Sequence, residues 1–424
     1  MGLKIAVVGG GSTYTPELVD GVARLRHLLP VDELVLVDPA ADRRELLAGV
    51  AGRILRRQGH GARVWATDDV TAAADGADAV LLQLRVGGQA ARARDESWPL
   101  EYGCLGQETT GAGGLAKALR TVPVVLDIAE RVRRVAPRAW IVDFTNPVGI
   151  VTRALLEHGH RAIGLCNVAI GLQRFFAGLL GVAPDRVELD HVGLNHLTWE
   201  RGVRVRADGA TDTDVLPTLL DRHGPAVAEH LRLPLDLVRA VGAVPSYYLR
   251  YFYRHDAVVA ELTGAPSRAD EVAALEAELL RLYADPALDR KPELLERRGG
   301  AYYSEAAVGL LAALLGGAPG RHVVDVRNDG ALPFLPDDMV VEVPADVGPD
   351  GARPVPVAPL DPAAAGLVAH VAGYERLALD AALRGGRDRV VLALLAHPLV
   401  GQWDLAGDLA DRLLAENRDL LPWR

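Results

Sequence analysis

Four apolar residues, Ile5-Ala6-Val7-Val8, run straight into Gly9-Gly10-Gly11-Ser12-Thr13, and helix-forming sequence begins at once behind them. Thr15 and Pro16 read as an N-cap and first-turn proline, and Leu18, Val19, Val22, Leu25, Leu28 and Leu29 then recur at helical spacing. A short buried strand, a glycine turn and a helix form a unit that can rest a dinucleotide pyrophosphate on backbone N–H groups. Gly9, Gly11, Ser12 and Thr13 are therefore candidate cofactor contacts. The next strand, Glu33-Leu34-Val35-Leu36-Val37, ends at Asp38, where an acid would bond a ribose 2′-hydroxyl. Tyr14 occupies the third glycine position of the G-x-G-x-x-G pattern. A glycine turn alone is an ordinary tight turn; strand, turn, helix, strand and acid in order favour the nucleotide reading.

The alternation continues. Ala79 to Leu84, Trp140 to Thr145 and Ala162 to Cys166 read as strands, and a glycine-rich loop, 106–114, precedes a long helix to about Val135. This predicts an α/β fold with a Rossmann-like doubly wound parallel sheet over 1–167. In such sheets ligands sit outside the carboxyl ends of the strands. Asn146 and Cys166 fall at two of those ends. Alone, Cys166 reads as a small buried apolar residue, and a single histidine such as His196 as a core or surface residue. Beyond Asn167 the texture changes to an α+β domain over 168–424. Antiparallel strands are expected near 187–192 and 198–205, helices over 214–285, strands over 322–343, a Pro/Gly-rich connector over 344–362 and amphipathic helices after it. Tyr247, Tyr248, Tyr251 and Tyr253 crowd one segment, most of them read as packing rings.

A net charge of −10 argues against a nucleic-acid partner, which needs a basic face. No apolar run approaches the roughly 20 residues that span a bilayer, so no membrane partner is expected. Met1-Gly2-Leu3-Lys4 leads directly into a strand, and no secretory leader is expected. Two cysteines, Cys104 and Cys166, suit a reducing, cytoplasmic compartment.

Taken together, Gly9 to Leu18, Asn146-Pro147, Gly164-Leu165-Cys166 and Gly193-Leu194-Asn195-His196 resemble glycoside hydrolase family 4, the NAD- and divalent-metal-dependent glycosidases. Arg85-Val86-Gly87-Gly88, Gly106 to Gly111, Tyr248-Leu249-Arg250-Tyr251 and Ser267 to Val272 support the match, which runs end to end. Asp143, where the family usually has an amide, and Ala169, often proline in relatives, depart from it. The resemblance implies a lactate/malate dehydrogenase-like architecture, NAD and Mn2+ as cofactors, and a homo-oligomer of two or four copies. It implies Cys166 and His196 as metal ligands, Tyr248 as catalytic base and Glu108 as the group raising its basicity. Arg92 and Arg268 would hold the sugar and its phosphate, and Asn146 and Asn167 would contact substrate. Asn167 after the metal cysteine resembles the 6-phospho-β-glucosidase branch, so the implied substrate is a phosphorylated sugar such as cellobiose 6-phosphate. The family is a known exception to two-carboxylate glycosidase chemistry. Its implied route is redox-neutral: oxidation at C3, loss of the C2 proton, departure of the aglycone, addition of water and reduction at C3. The alternatives are another specificity within the family, a 2-hydroxyacid dehydrogenase, and a non-catalytic sensor of NAD and sugar phosphate.

Overall fold

The structure is a computed structural model and describes residues 2–206, 213–299, 302–317 and 319–423. Its first six strands are β1 (Leu3–Val8), β2 (Val31–Val37), β3 (Arg63–Thr67), β4 (Ala79–Leu82), β5 (Trp140–Asp143) and β6 (Ala162–Gly164). They lie in the order β3-β2-β1-β4-β5-β6, all parallel. That is the doubly wound order. Ile5, Ala6, Val7, Leu34, Val35, Leu36 and Val80 are almost wholly shut from solvent. Helices cover both faces of such a sheet, which is why its strands read as unbroken apolar runs.

The later strands are β7 (Val187–Leu194), β8 (Leu197–Val205), β9 (Thr213–Asp214), β10 (Val244–Pro245), β11 (Gly320–Arg327), β12 (Val340–Gly348) and β13 (Gly351–Pro354). All of their pairings are antiparallel. They join the same sheet: β11 pairs with β6, β12 with β11, β7 with β12 and β8 with β7. The expected Pro/Gly connector is partly structure. Residues 344–348 finish β12, and β13 folds back on them, with Pro344 opposite Val323.

Two further details depart from expectation. Thr15 is the first residue of the helix Thr15–Arg24 and does not cap it. Its hydroxyl donates to the Gly10 carbonyl at 2.8 Å and accepts from Gln83 Nε2 at 3.1 Å, so it braces the glycine turn. The strands β4, β5 and β6 also stop short of Leu84, Thr145 and Cys166. Asn146 and Cys166 thus stand just beyond the strand ends, on loops free to face a ligand.

Among the described residues no helix is long and apolar enough to cross a membrane. The walls above the strand ends come from both halves of the chain. The helix Arg268–Tyr283 packs on the helix Gly88–Ser97, and the helix Tyr303–Leu314 packs on Thr15–Arg24. A Cβ on Gly21 would lie 2.3 Å from Ser304 Cβ, so only glycine admits that approach. The long helix Gly111–Val135 carries Arg120, which is buried. Its Nε donates to the Val86 carbonyl at 3.1 Å, and its Nη1 donates to Asp95 Oδ1 at 3.0 Å and Asn417 Oδ1 at 3.1 Å. One guanidinium therefore ties the 84–88 loop, the helix Gly88–Ser97 and the C-terminal segment together. Removing one partner of a buried pair leaves the other charge uncompensated. Arg120→Ala is expected to cost about 3–5 kcal/mol in chemical denaturation; a loss near that of an exposed pair, below about 1 kcal/mol, would contradict this role.

Candidate active site

A cavity of about 650 Å3 opens at the carboxyl ends of β1, β2 and β4, within the usual range for small-molecule sites of ~300–1,000 Å3. Gly9, Gly11, Ser12, Asp38 and Asn146 all line it. Gly9 has φ +88°. A Cβ there would lie 2.7 Å from the Gln83 carbonyl oxygen, and one on Gly11 would lie 2.6 Å from the Asp38 carboxyl carbon. Position 9 therefore requires glycine, and a side chain at position 11 would displace the Asp38 carboxyl. Asp38 Oδ2 accepts from Gly11 N at 3.1 Å and Oδ1 from Ala40 N at 3.0 Å. Each oxygen keeps a lone pair for a ribose hydroxyl. Thr13 is a different case: it is fully buried, its hydroxyl meets Glu276 Oε1 at 3.2 Å, and it does not line the cavity. The glycine turn, the helix N-terminus behind it and the acid after β2 fit a dinucleotide.

Cys166, His196 and Tyr248 do not line this cavity; Cys166 follows β6 as Asn146 follows the adjacent β5, and Tyr248 lies within electrostatic reach of Cys166. His196 sits at the tip of the β7–β8 hairpin with φ +63°, a strained value for a non-glycine residue. Its ring stacks on Tyr248, with centroids 3.6 Å apart and planes at 7°. The Thr109 hydroxyl donates to Gln107 Oε1 at 2.8 Å. It must then accept from His196 Nδ1, 3.1 Å away. That hydrogen bond places the proton on Nδ1 and leaves the Nε2 lone pair available. Burial first, with Lys117 adding, lowers the His196 pKa to about 4, so the ring is neutral near pH 7.

Cys166 is half-buried and free. Burial above all, then Glu342 and Asp325, pushes its thiol up, while the Val168 N–H and the Asn195 side chain oppose that rise by bonding the sulfur. Asn146 Oδ1 is buried and lacks a hydrogen-bond partner. Among the described residues no group of three or more His, Cys, Asp or Glu side chains could cage a metal. A thiol and a neutral imidazole near an orphaned amide oxygen fit a cation that keeps open positions for substrate. Asn167 directly precedes the helix Val168–Leu180, next to Cys166.

Glu108 meets more charge than its expected role required. Lys117 Nζ lies at 2.7 Å, Arg92 Nε at 3.2 Å, and Arg85 Nη1 also pairs with it. Burial would raise its pKa, but Lys117, Arg85 and Arg92 hold the carboxyl well below the usual range. Arg92 Nε also donates to Glu96 Oε1 at 2.7 Å, and Glu96 Oε2 accepts from Ala269 N at 2.7 Å. Glu96 therefore brings the start of the helix Arg268–Tyr283 to Arg92. Arg268 itself is largely exposed, bonding Glu271 Oε2 at 2.8 Å and the Arg297 carbonyl at 3.1 Å. Sequence reading missed Lys117, Arg85 and Arg298. Lys117 stands out only as one of three lysines in the chain, and Arg298 lines the cavity by reaching Glu276 at 2.9 Å.

Residues 4–182 match the model of the Family 4 glycosyl hydrolase, and residues 191–400 match that of the Family 4 glycosyl hydrolase C-terminal domain. The chain is 39% identical over 435 residues to a Bacillus subtilis protein named "Probable 6-phospho-beta-glucosidase", covering 99% of this chain and 98% of that one. It resembles the 6-phospho-β-glucosidase of Thermotoga maritima solved with manganese, NAD+ and glucose-6-phosphate. The TM-score is 0.90 at 32% identity, over 99% of each chain. The Cryptosporidium parvum malate dehydrogenase shares the fold alone, with a TM-score of 0.55 at 14% identity over 90% of this chain and 99% of that one.

The loop carrying Glu108 and Thr109 is anchored from the far end of the chain. Gly111 N donates to Nε2 of the buried His397 at 3.0 Å, which requires a lone pair there. Burial first, then the neighbouring His370 and His255, lowers the His397 pKa to about 3, against ~6.5 unfolded. Folding thus prefers the neutral ring. Its contribution is complete above pH ~6.5 and is lost as the pH falls from there toward the folded value. Denaturation across that window should show a shallower loss of stability in His397→Gln than in the unaltered protein; parallel curves would remove His397 from this role.

Proposed function

The chain belongs to family 4 of the glycosyl hydrolases, and from that premise we propose that it hydrolyses 6-phospho-β-glucosides, cellobiose 6-phosphate among them, with NAD and Mn2+. The observation that carries this reading is the meeting of the Cys166 thiol, the His196 imidazole and the Tyr248 phenol beside a glycine-lined cavity. The names of its relatives support the β-linkage and the 6-phosphate.

Gly9, Gly11 and Ser12 would hold the pyrophosphate and Asp38 the ribose, with Cys166 and His196 Nε2 as the metal ligands. Once bound, NAD supplies a hydride acceptor for C3 of the sugar, and the cation supplies Lewis-acid charge that favours both the C2 carbanion and the Tyr248 phenolate. Tyr248 would take the C2 proton on its phenol oxygen. Burial above all, then Cys166, Tyr251, Glu108 and Tyr247, pushes that phenol well above its ordinary value. Glu108, kept ionised by its three cations, thus adds to the proton affinity of Tyr248, while the cations limit how far. Arg92 and Arg268 would take the 6-phosphate, since guanidinium forks match phosphate oxygens. Asn146 Oδ1, buried and unpartnered, and Asn167 would contact sugar hydroxyls. A cytoplasmic setting is supported by two free cysteines. A homo-oligomer of two or four copies remains part of the proposal.

The test is turnover of chromogenic 6-phosphoglucosides of both anomers, with and without NAD+ and Mn2+. The β-anomer should be cleaved only when both are present, and Tyr248→Phe should lose about 10²–10⁴-fold in rate while still binding them. Equal cleavage of an unphosphorylated glucoside would overturn the phosphate reading, and full activity of Tyr248→Phe would overturn the base.

A further inference from the structure

Behind the metal hairpin lies a buried charged group that the proposed chemistry does not use. His191, Glu200 and Glu342 are each at most 1% exposed and sit on three neighbouring strands, β7, β8 and β12. His191 faces Glu200 across the β7–β8 ladder, just past an irregularity in its register. Its Nδ1 lies 2.6 Å from Glu200 Oε1 and its Nε2 lies 2.9 Å from Glu342 Oε1. With a carboxylate on each nitrogen, both ring nitrogens must donate, so the ring is an imidazolium clamped between two acids. Burial alone would lower its pKa, but Glu200 and then Glu342 outweigh burial and raise it to about 10.

The chain of contacts does not end there. Glu342 Oε2 accepts from Asn195 Nδ2 at 2.9 Å, and Asn195 leads directly into His196. One amide at the hairpin tip therefore holds Glu342 with its side chain and shares a peptide bond with the imidazole residue. Glu342 itself is fixed by the pairing of β12 with β7, opposite Gly193. A Cβ on Gly193 would lie 2.0 Å from the Leu197 carbonyl oxygen, so only glycine lets the two arms of the hairpin close at this point.

We propose that His191 and Glu342 are positioning residues for the cation site: the chain Glu200–His191–Glu342–Asn195 sets where the hairpin tip holds His196 relative to Cys166. This rests on the reading of Cys166 and His196 as the metal ligands. Groups one bond removed from metal ligands fix their orientation, and losing one typically lowers metal affinity about 10–100-fold. Glu342→Gln keeps the shape but places an amide where two donors, His191 Nε2–H and Asn195 Nδ2–H, need acceptors. It can satisfy only one of them.

The experiment is Mn2+ titration followed by the EPR signal of free Mn2+, on the unaltered protein, Cys166→Ser, Glu342→Gln, His191→Gln and Glu375→Gln. Glu375 serves as a control because it is also buried and borders the same hairpin through Gly149, yet it lies outside the chain of contacts. NAD+ affinity and thermal unfolding are measured on each. The expected result is a loss of Mn2+ affinity of about 10–100-fold in Glu342→Gln and His191→Gln, with NAD+ affinity retained and Glu375→Gln unchanged. Should Glu342→Gln or His191→Gln prove too unstable to titrate, Asn195→Ala, which cuts the last link at the partly exposed hairpin tip, should show the same loss. Unchanged Mn2+ affinity in Glu342→Gln and Asn195→Ala, beside a loss in Cys166→Ser, would overturn the positioning role and leave the metal assignment standing. Mn2+ and NAD+ affinity falling together would reduce the chain to a structural one. No Mn2+ binding by the unaltered protein would overturn the metal assignment on which the proposal rests.

Discussion

Two one-residue strand pairings, Asp325 with Gly164 and Glu342 with Gly193, hold the functional side chains to the sheet. Each joins a strand that ends two residues before a candidate ligand to the antiparallel pair β11–β12. Gly164 is two residues before Cys166 and Gly193 three before His196. The first contact demands glycine, since a Cβ on Gly164 would lie 2.3 Å from Thr152 Oγ1 and 2.7 Å from Asp325 Cβ; Gly193 is demanded by the hairpin itself, where a Cβ would meet the Leu197 carbonyl. The thiol and the imidazole, 30 residues apart in sequence, are therefore referred to the same rigid strands. A nucleotide-binding sheet gains a second set of ligands without a second sheet.

That closeness carries an electrostatic cost, and the site is arranged around it. Asp143, Glu200, Asp325, Glu342 and Glu375 are all buried, and Asp143, Glu342 and Glu375 lie within electrostatic reach of Asp325. His191 answers two of them as a charged ring. Burial first, then its carboxylate neighbours, drives Asp325 well above the usual range, and its two oxygens lack partners; a neutral, protonated acid is the form that burial favours. Burial likewise pushes Asp143 well above the usual range, against the opposing hydrogen bonds from Thr145 and Thr152. On the other side Arg85, Arg92 and Lys117 surround Glu108. The pocket is thus positive where a sugar phosphate would arrive and acidic or neutral behind the proposed cation site. Those opposite signs suit an anionic substrate bridging to a metal.

Much of this was legible in sequence because it is local. Ile5 to Val8, the glycine turn and Asp38 announce a nucleotide unit through periodicity and turn chemistry alone, and Asn146 and Cys166 follow from the rule that ligands gather at strand ends. What could not be read is long-range pairing. Nothing about Lys117 in an apolar helix says that it meets Glu108, and nothing in His191 says that Glu342, 151 residues later, will close on it. The connector over 344–362 misread for the same reason, since its prolines and glycines mark turns but do not exclude a hairpin built against β11. Thr13 fits the turn motif by position, yet the packing of Glu276 and Tyr283 draws it inward.

The central claim is that Tyr248, placed against His196, removes a proton from C2 of the sugar during cleavage. Deuterium incorporation tests it directly. Turnover of a 6-phospho-β-glucoside in D2O should leave deuterium at C2 of the released glucose 6-phosphate, because the proton taken there is replaced from solvent, while NAD+ ends the reaction unconsumed. Product carrying only protium at C2 would mean direct displacement at C1 and would contradict the role given to Tyr248.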